Sequence, residues 1–127
     1  MVPEAWYSSP STRPALILYR PNMSGGLWDP ESARMEERLE DELDIFVASA
    51  GPGRGVMALG DAAAAARFSG FDAAVVVSPV GCEPPDHELL AAAGKLRRRV
   101  TQAQAEWAVA DVVAAYHRAC DARARAA

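Results

Sequence analysis

Cysteine is scarce in this chain, with only Cys82 and Cys120 among 127 residues. Two isolated cysteines make neither a disulfide framework nor a CxxC pair, which points to a reducing compartment. An excess of basic charge is also missing. Thirteen Lys and Arg stand against seventeen Asp and Glu, and the formal net charge of -4 argues against a general nucleic-acid binder. No apolar run approaches the roughly 20 residues that would span a bilayer. The N-terminus carries Pro3, Glu4 and serines where a secretory signal would have a basic start and an apolar core. These absences together set a cytoplasmic expectation. Known catalytic signatures are lacking too: there is no G-x-S-x-G, no Walker loop and no metalloprotease motif. Ser78 has no evident base or orienting acid, so a hydrolase triad is not expected.

What is present is enough for one domain. The mass is 13.5 kDa and half of the residues are hydrophobic. Alanine supplies much of that half, and each alanine buries little area, so the core is expected to be shallow and helices can approach closely. Residues 1–14 hold three prolines together with Trp6 and Tyr7 and read as an extended arm, leaving 15–127 as a single α/β domain.

Two short apolar runs organise that domain. Ala15–Tyr19 stops at Arg20-Pro21-Asn22-Met23-Ser24-Gly25-Gly26, and Ala73–Val77 stops at Ser78-Pro79-Val80-Gly81-Cys82-Glu83. Continuous rather than alternating apolar residues suggest strands buried on both faces, as in a parallel sheet covered by helices. Between them, Asp29-Pro30-Glu31 starts a helix running to about Leu43, with the thin stripe Met35, Leu39 and Leu43. Glu36, Glu37, Glu40, Asp41 and Glu42 are expected to face solvent. Residues 44–50 read as a second strand, and Val56 to about Phe68 as an alanine-rich helix ended by Gly70. The third strand is expected from about Asp72 to Val77. Two successive βαβ units imply right-handed crossovers and parallel strands. After the loop 78–88 the chain reads as helical to its end, with Leu96, Val100, Ala103 and Trp107 on one face and Val109, Val112, Val113, Tyr116 and Cys120 on another. No fourth strand is expected. The result is a three-layer α/β domain with a short parallel sheet and a long helical C-terminal segment, small enough to favour dimerisation or docking on a partner.

In parallel sheets ligands bind beyond the carboxyl ends of the strands, so the loops after the first and third strands are the candidate site. His87 lies in the second of these, after Glu83-Pro84-Pro85-Asp86, and with Cys82 and the carboxylates it could ligate a divalent metal. His117 and Cys120, three apart on a helix, make a weaker pair. Gly51-Pro52-Gly53-Arg54-Gly55 lies between a strand and a helix, where glycine amides could approach a phosphate. Its spacing departs from G-x-G-x-x-G, and Pro52 removes one donor. The basic cluster Lys95-Leu96-Arg97-Arg98-Arg99 reads as a solvated helix face.

The order of these loops resembles the small sirohydrochlorin chelatases, the CbiX-type family that inserts cobalt or ferrous iron into a tetrapyrrole. Ala15–Tyr19 is similar to that family's opening strand, Asp29-Pro30-Glu31 to its helix start, and Val75-Val76-Val77-Ser78-Pro79 to its later Val-rich strand. Pro84-Pro85-Asp86-His87 falls where Pro-Gly-x-His would stand. The resemblance covers about residues 14–90. It implies a chelatase, a lyase acting on a tetrapyrrole with cobalt or ferrous iron as substrate. His87 would be the catalytic residue and metal ligand, with Cys82 and Glu83 as further metal contacts. Arg20, Asn22, Ser24, Ser78 and Gly81 would contact the ligand.

One departure bears on catalysis. The first strand ends in Arg20-Pro21 where the family has a histidine, and arginine can neither accept a proton nor ligate a cation. A chelatase and a non-catalytic module that uses the same cleft for a ligand or partner therefore both remain open, with a phosphate ligand at Gly51–Gly55 as a lesser alternative.

Overall fold

The computed structural model describes residues 13–19, 30–50, 66–81, 90 and 99–126. Its elements are β1 (Ala15–Tyr19), α1 (Pro30–Leu43), β2 (Val47–Ala50), β3 (Ala73–Pro79), β4 (Arg99–Ala105) and α2 (Val109–Ala126), with a helical turn at 66–68. The four strands form one parallel sheet in the order β2-β1-β3-β4. This is the small α/β architecture that the two apolar runs imply.

β1 is buried along its whole length because it lies between β2 and β3 and is covered on both faces. Its alternate residues serve two cores. Leu16 and Leu18 join Met35, Leu39 and Leu43 of α1 and Val112, Ala115, Tyr116 and Ala119 of α2 on one face. Ala15, Ile17 and Tyr19 join Phe46, Phe68 and Phe71 on the other. The stripe read from α1 is the stripe that is buried.

Where α1 ends, Asp44 takes a left-handed φ of 52°, and its N–H donates to the Glu40 carbonyl at 2.8 Å. Aspartate tolerates this conformation better than most residues. The last turn has no basic residue of its own. Arg13 supplies the cation from outside, donating to the carbonyls of Leu43 at 3.2 Å and Asp44 at 2.8 Å. This cap shortens the second strand, which begins at Val47 rather than at residue 44.

The third strand extends past Val77 to Pro79. Proline is tolerated there because the Val80 N–H bonds the Ala105 carbonyl, so residue 79 turns its nitrogen the other way. That is the β1 side, where pairing has already stopped at Leu18 with Val77.

The tail is not helical throughout, and this corrects the sequence expectation. Arg99–Ala105 forms a fourth strand, paired with β3 along all seven of its residues. Val100 and Ala103, expected on one helical face, instead point to opposite faces of the sheet, Val100 against the Phe68 core and Ala103 against α2. Alanine and glutamine favour helix, but the alternation of half-buried and exposed residues suits an edge strand, and pairing overrides a weak local preference. The second half of the tail reads correctly: Val112 and Tyr116 are buried, and Val109, Val113 and Cys120 border them.

Candidate functional site

All four strands are parallel, so Tyr19, Ala50, Pro79 and Ala105 end at one edge of the sheet. The chain goes from β1 outward to β2, then returns to the opposite side of β1 to form β3. The junction of β1 and β3 is thus the point where strand order reverses. A crevice opens at such a point because consecutive connections leave it in opposite directions. The loops that leave β1 and β3 are the two singled out in the sequence, and the structure starts them from neighbouring strands.

Arg20, Asn22, Ser24, Cys82, Glu83 and His87 lie outside the described residues, as does Gly51–Gly55. Ser78 and Gly81 are described. Ser78 is 2% exposed, and its hydroxyl donates to the Ala103 carbonyl at 3.5 Å. It is turned into the join between β3 and β4. Gly81 has φ +85° and open space around the position of a Cβ. Its glycine is favoured by the backbone and not by crowding, and it follows directly after the Val80 bond to Ala105.

A second polar group was missed in the sequence, where the acidic face of α1 reads as solvated. Glu36 and Glu40 are half-buried against the β2 edge, whereas Glu37, Asp41 and Glu42 are exposed as expected. The Ser49 hydroxyl donates to Glu36 Oε2 at 3.3 Å. The Val47 N–H donates to Glu40 Oε1 at 3.4 Å. Arg67 lies 3.8 Å from Glu40 and stacks over the Phe46 ring at 4.6 Å. Burial, reinforced by the Glu40 charge, raises the Glu36 pKa from 4.5 to about 7, against the opposing effects of Ser49 and Arg67. A carboxyl with that pKa can give or take a proton near neutrality. The signal was available: Glu36 and Glu40 each follow a stripe residue by one position, and Ser49 is the lone polar residue of a buried strand.

His117 and Cys120 both lie on α2. His117 is exposed, with its ring edge-on to Tyr116, while Cys120 is half-buried. Burial raises the pKa of the Cys120 thiol, which disfavours the reactive thiolate. Tyr116 is also raised by burial, and its hydroxyl donates to the Pro14 carbonyl at 2.7 Å. Among the described residues no group of three or more His, Cys, Asp or Glu could hold a metal ion, and no helix is long and apolar enough to cross a membrane.

The class defined by this geometry is a small α/β domain with a four-stranded parallel sheet whose strand order reverses at the β1–β3 junction. Comparison with protein-family models, with curated proteins and with solved structures finds no match.

Proposed function

We propose that this protein is a chelatase-like binder of a tetrapyrrole and a divalent metal, cobalt or ferrous iron, at the β1–β3 junction. The observation that supports it is the strand order β2-β1-β3-β4, which makes β1 and β3 parallel neighbours. The loops carrying Arg20 and His87 then begin side by side at the place where such sheets bind ligands. Metal insertion forms metal–nitrogen bonds and releases two pyrrole protons, so it needs a group to present the cation and a base to take protons. His87 is assigned the first or the second of these tasks, with Cys82 and Glu83 as further metal contacts. Arg20, aided by Asn22 and Ser24, is assigned to a tetrapyrrole carboxylate, which a guanidinium matches by a charge-assisted pair. Ser78 contributes from inside the sheet, and Gly81 by the turn it permits.

Arg20 in place of a first-strand histidine favours a second reading, in which the crevice binds its ligand without inserting metal. One experiment separates the two. Purified protein is mixed with sirohydrochlorin and cobalt or ferrous iron, and the absorbance spectrum is followed for the wild type and His87→Ala. Insertion bands faster than the uncatalysed rate, abolished by the substitution, support the chelatase. A shifted spectrum without insertion supports the binding protein, and an unchanged spectrum refutes both.

A further inference from the structure

We propose that β4 is a dimerisation edge, on which a second copy of this chain adds its own β4 in antiparallel register about Gln102. β4 is the last strand of the sheet, and no described segment pairs with its outer side. The Arg99 N–H bonds the Asp72 carbonyl at 3.2 Å, and the Ala105 carbonyl accepts from Val80 at 3.1 Å. Residues 99, 101, 103 and 105 therefore turn their backbone groups toward β3, and Val100, Gln102 and Gln104 turn theirs outward.

Three outward residues whose backbone donors and acceptors no described segment takes are a template for another strand. A twofold axis through Gln102 sets Gln102 against the partner's Gln102 and Val100 against the partner's Gln104. These are all outward-facing residues, so each pair exchanges both of its N–H···O=C bonds. In the same register Arg99 falls opposite the partner's Ala105, beside the partner's Glu106. This register places no like charges face to face. The devices that normally keep an edge from pairing, a lysine, a proline or an inward charge, are missing from positions 100–105.

The neighbouring helix adds area. Tyr116 and Cys120 lie toward Pro14 and Arg13, hence toward the end of α1 that Arg13 caps. The other flank of α2, with exposed Asp111 and Arg118, lies on the β4 side. The same axis runs α2 against the partner's α2, with Asp111 toward the partner's Arg118. At the far edge of the sheet Glu40 already takes the outward Val47 N–H. The assembly closes as a dimer and does not propagate.

The test uses the full chain. Sedimentation velocity across a micromolar concentration series is expected to show a wild-type dimer. Gln102→Lys puts two like charges on the axis and is expected to weaken the dimer at least tenfold while circular dichroism stays unchanged. Gln102→Pro removes an N–H that the monomer's ladder does not use and is expected to give the same dissociation. Gln102→Cys, oxidised and peptide-mapped, is expected to cross-link to its own counterpart, since directly opposed residues fall within disulfide range. A wild type that stays monomeric up to 100 µM overturns the proposal (a concentration of the order at which weak specific dimers are populated). So does a dimer that neither Gln102→Lys nor Gln102→Pro disturbs.

Discussion

The edge of the sheet formed by β2 is closed by side chains from both of its faces, whereas the edge formed by β4 is bordered by Gln102 and Gln104, both exposed. At β2, Glu40 reaches over from α1 to take the Val47 N–H, and Arg67 comes from the other face to lie on Phe46 and beside Glu40. A carboxylate on the outward Val47 amide and a guanidinium over the Phe46 ring take up part of what a second strand would grip. The β4 edge has no comparable closure among the described residues. Charge placed across an edge makes it an end, and neutral amides along an edge leave it available. A domain with one closed and one open edge is suited to pairing once.

The largest expected effect separates how the two sides are packed. Leu39 of α1 is fully buried over the β2 side, so Leu39→Ala is expected to cost about 2–5 kcal/mol in urea unfolding. Val100 on β4 is only partly buried, and Val100→Ala is expected to cost about 1 kcal/mol or less. Equal losses would show that β4 is as firmly built into the monomer as β2, and the contrast between the edges would fail.

Next in size is the tie that joins the two sides. Tyr116 on the β4-side helix donates to Pro14, just before β1, from a buried position. Tyr116→Phe leaves that carbonyl without its partner and is expected to cost about 1–3 kcal/mol by the same measurement. A loss near zero would mean that α2 is held by its apolar stripe alone.

Much of this arrangement is legible in the chain, and the exceptions have physical causes. β1 and α1 fall where the pattern puts them, because a continuous apolar run and a stripe at every fourth residue each satisfy one geometry only. In β4, Thr101-Gln102-Ala103-Gln104-Ala105 carries good helix formers, and its strand identity rests on pairing with a segment about 26 residues earlier. The Glu36 and Glu40 cluster looks like a solvated face in the sequence because its partners, Ser49, Val47 and Arg67, come from two other segments. The loops after β1 and β3 can be singled out as a candidate site from the sequence, since strand ends are a property of pattern. That they begin on adjacent strands required the topology.

The pH dependence sharpens the comparison further, because Glu36 belongs to the closed edge. Native Glu36 holds its proton to about pH 7, and the ordinary value is 4.5. Between those limits the folded state binds more protons than the unfolded state, so its stability falls as pH rises and the loss is complete above pH 7. The urea midpoint is expected to drop from pH 5 to pH 8. Glu36→Gln, which cannot ionise, is expected to flatten that slope while leaving dimerisation through β4 unchanged. A slope that survives the substitution would place the titrating group elsewhere.

The smallest effect tests whether the closure is one device or several contacts. The Arg67 side chain is more than half exposed, so its ion pair with Glu40 and its stacking on Phe46 together are worth about 0.5–1 kcal/mol. Arg67→Ala is expected to lower stability by that much. Its second consequence is more diagnostic. Arg67 opposes the rise in the Glu36 pKa, so removing it raises that pKa further, and the fall in stability continues to a higher pH than in the wild type. A midpoint profile displaced toward alkaline pH would show that Arg67 and Glu36 feel each other across the edge of β2. An unchanged profile with the same small loss would reduce Arg67 to a cation resting on a ring, and the closure of that edge would then rest on Glu40 and its bond to Val47.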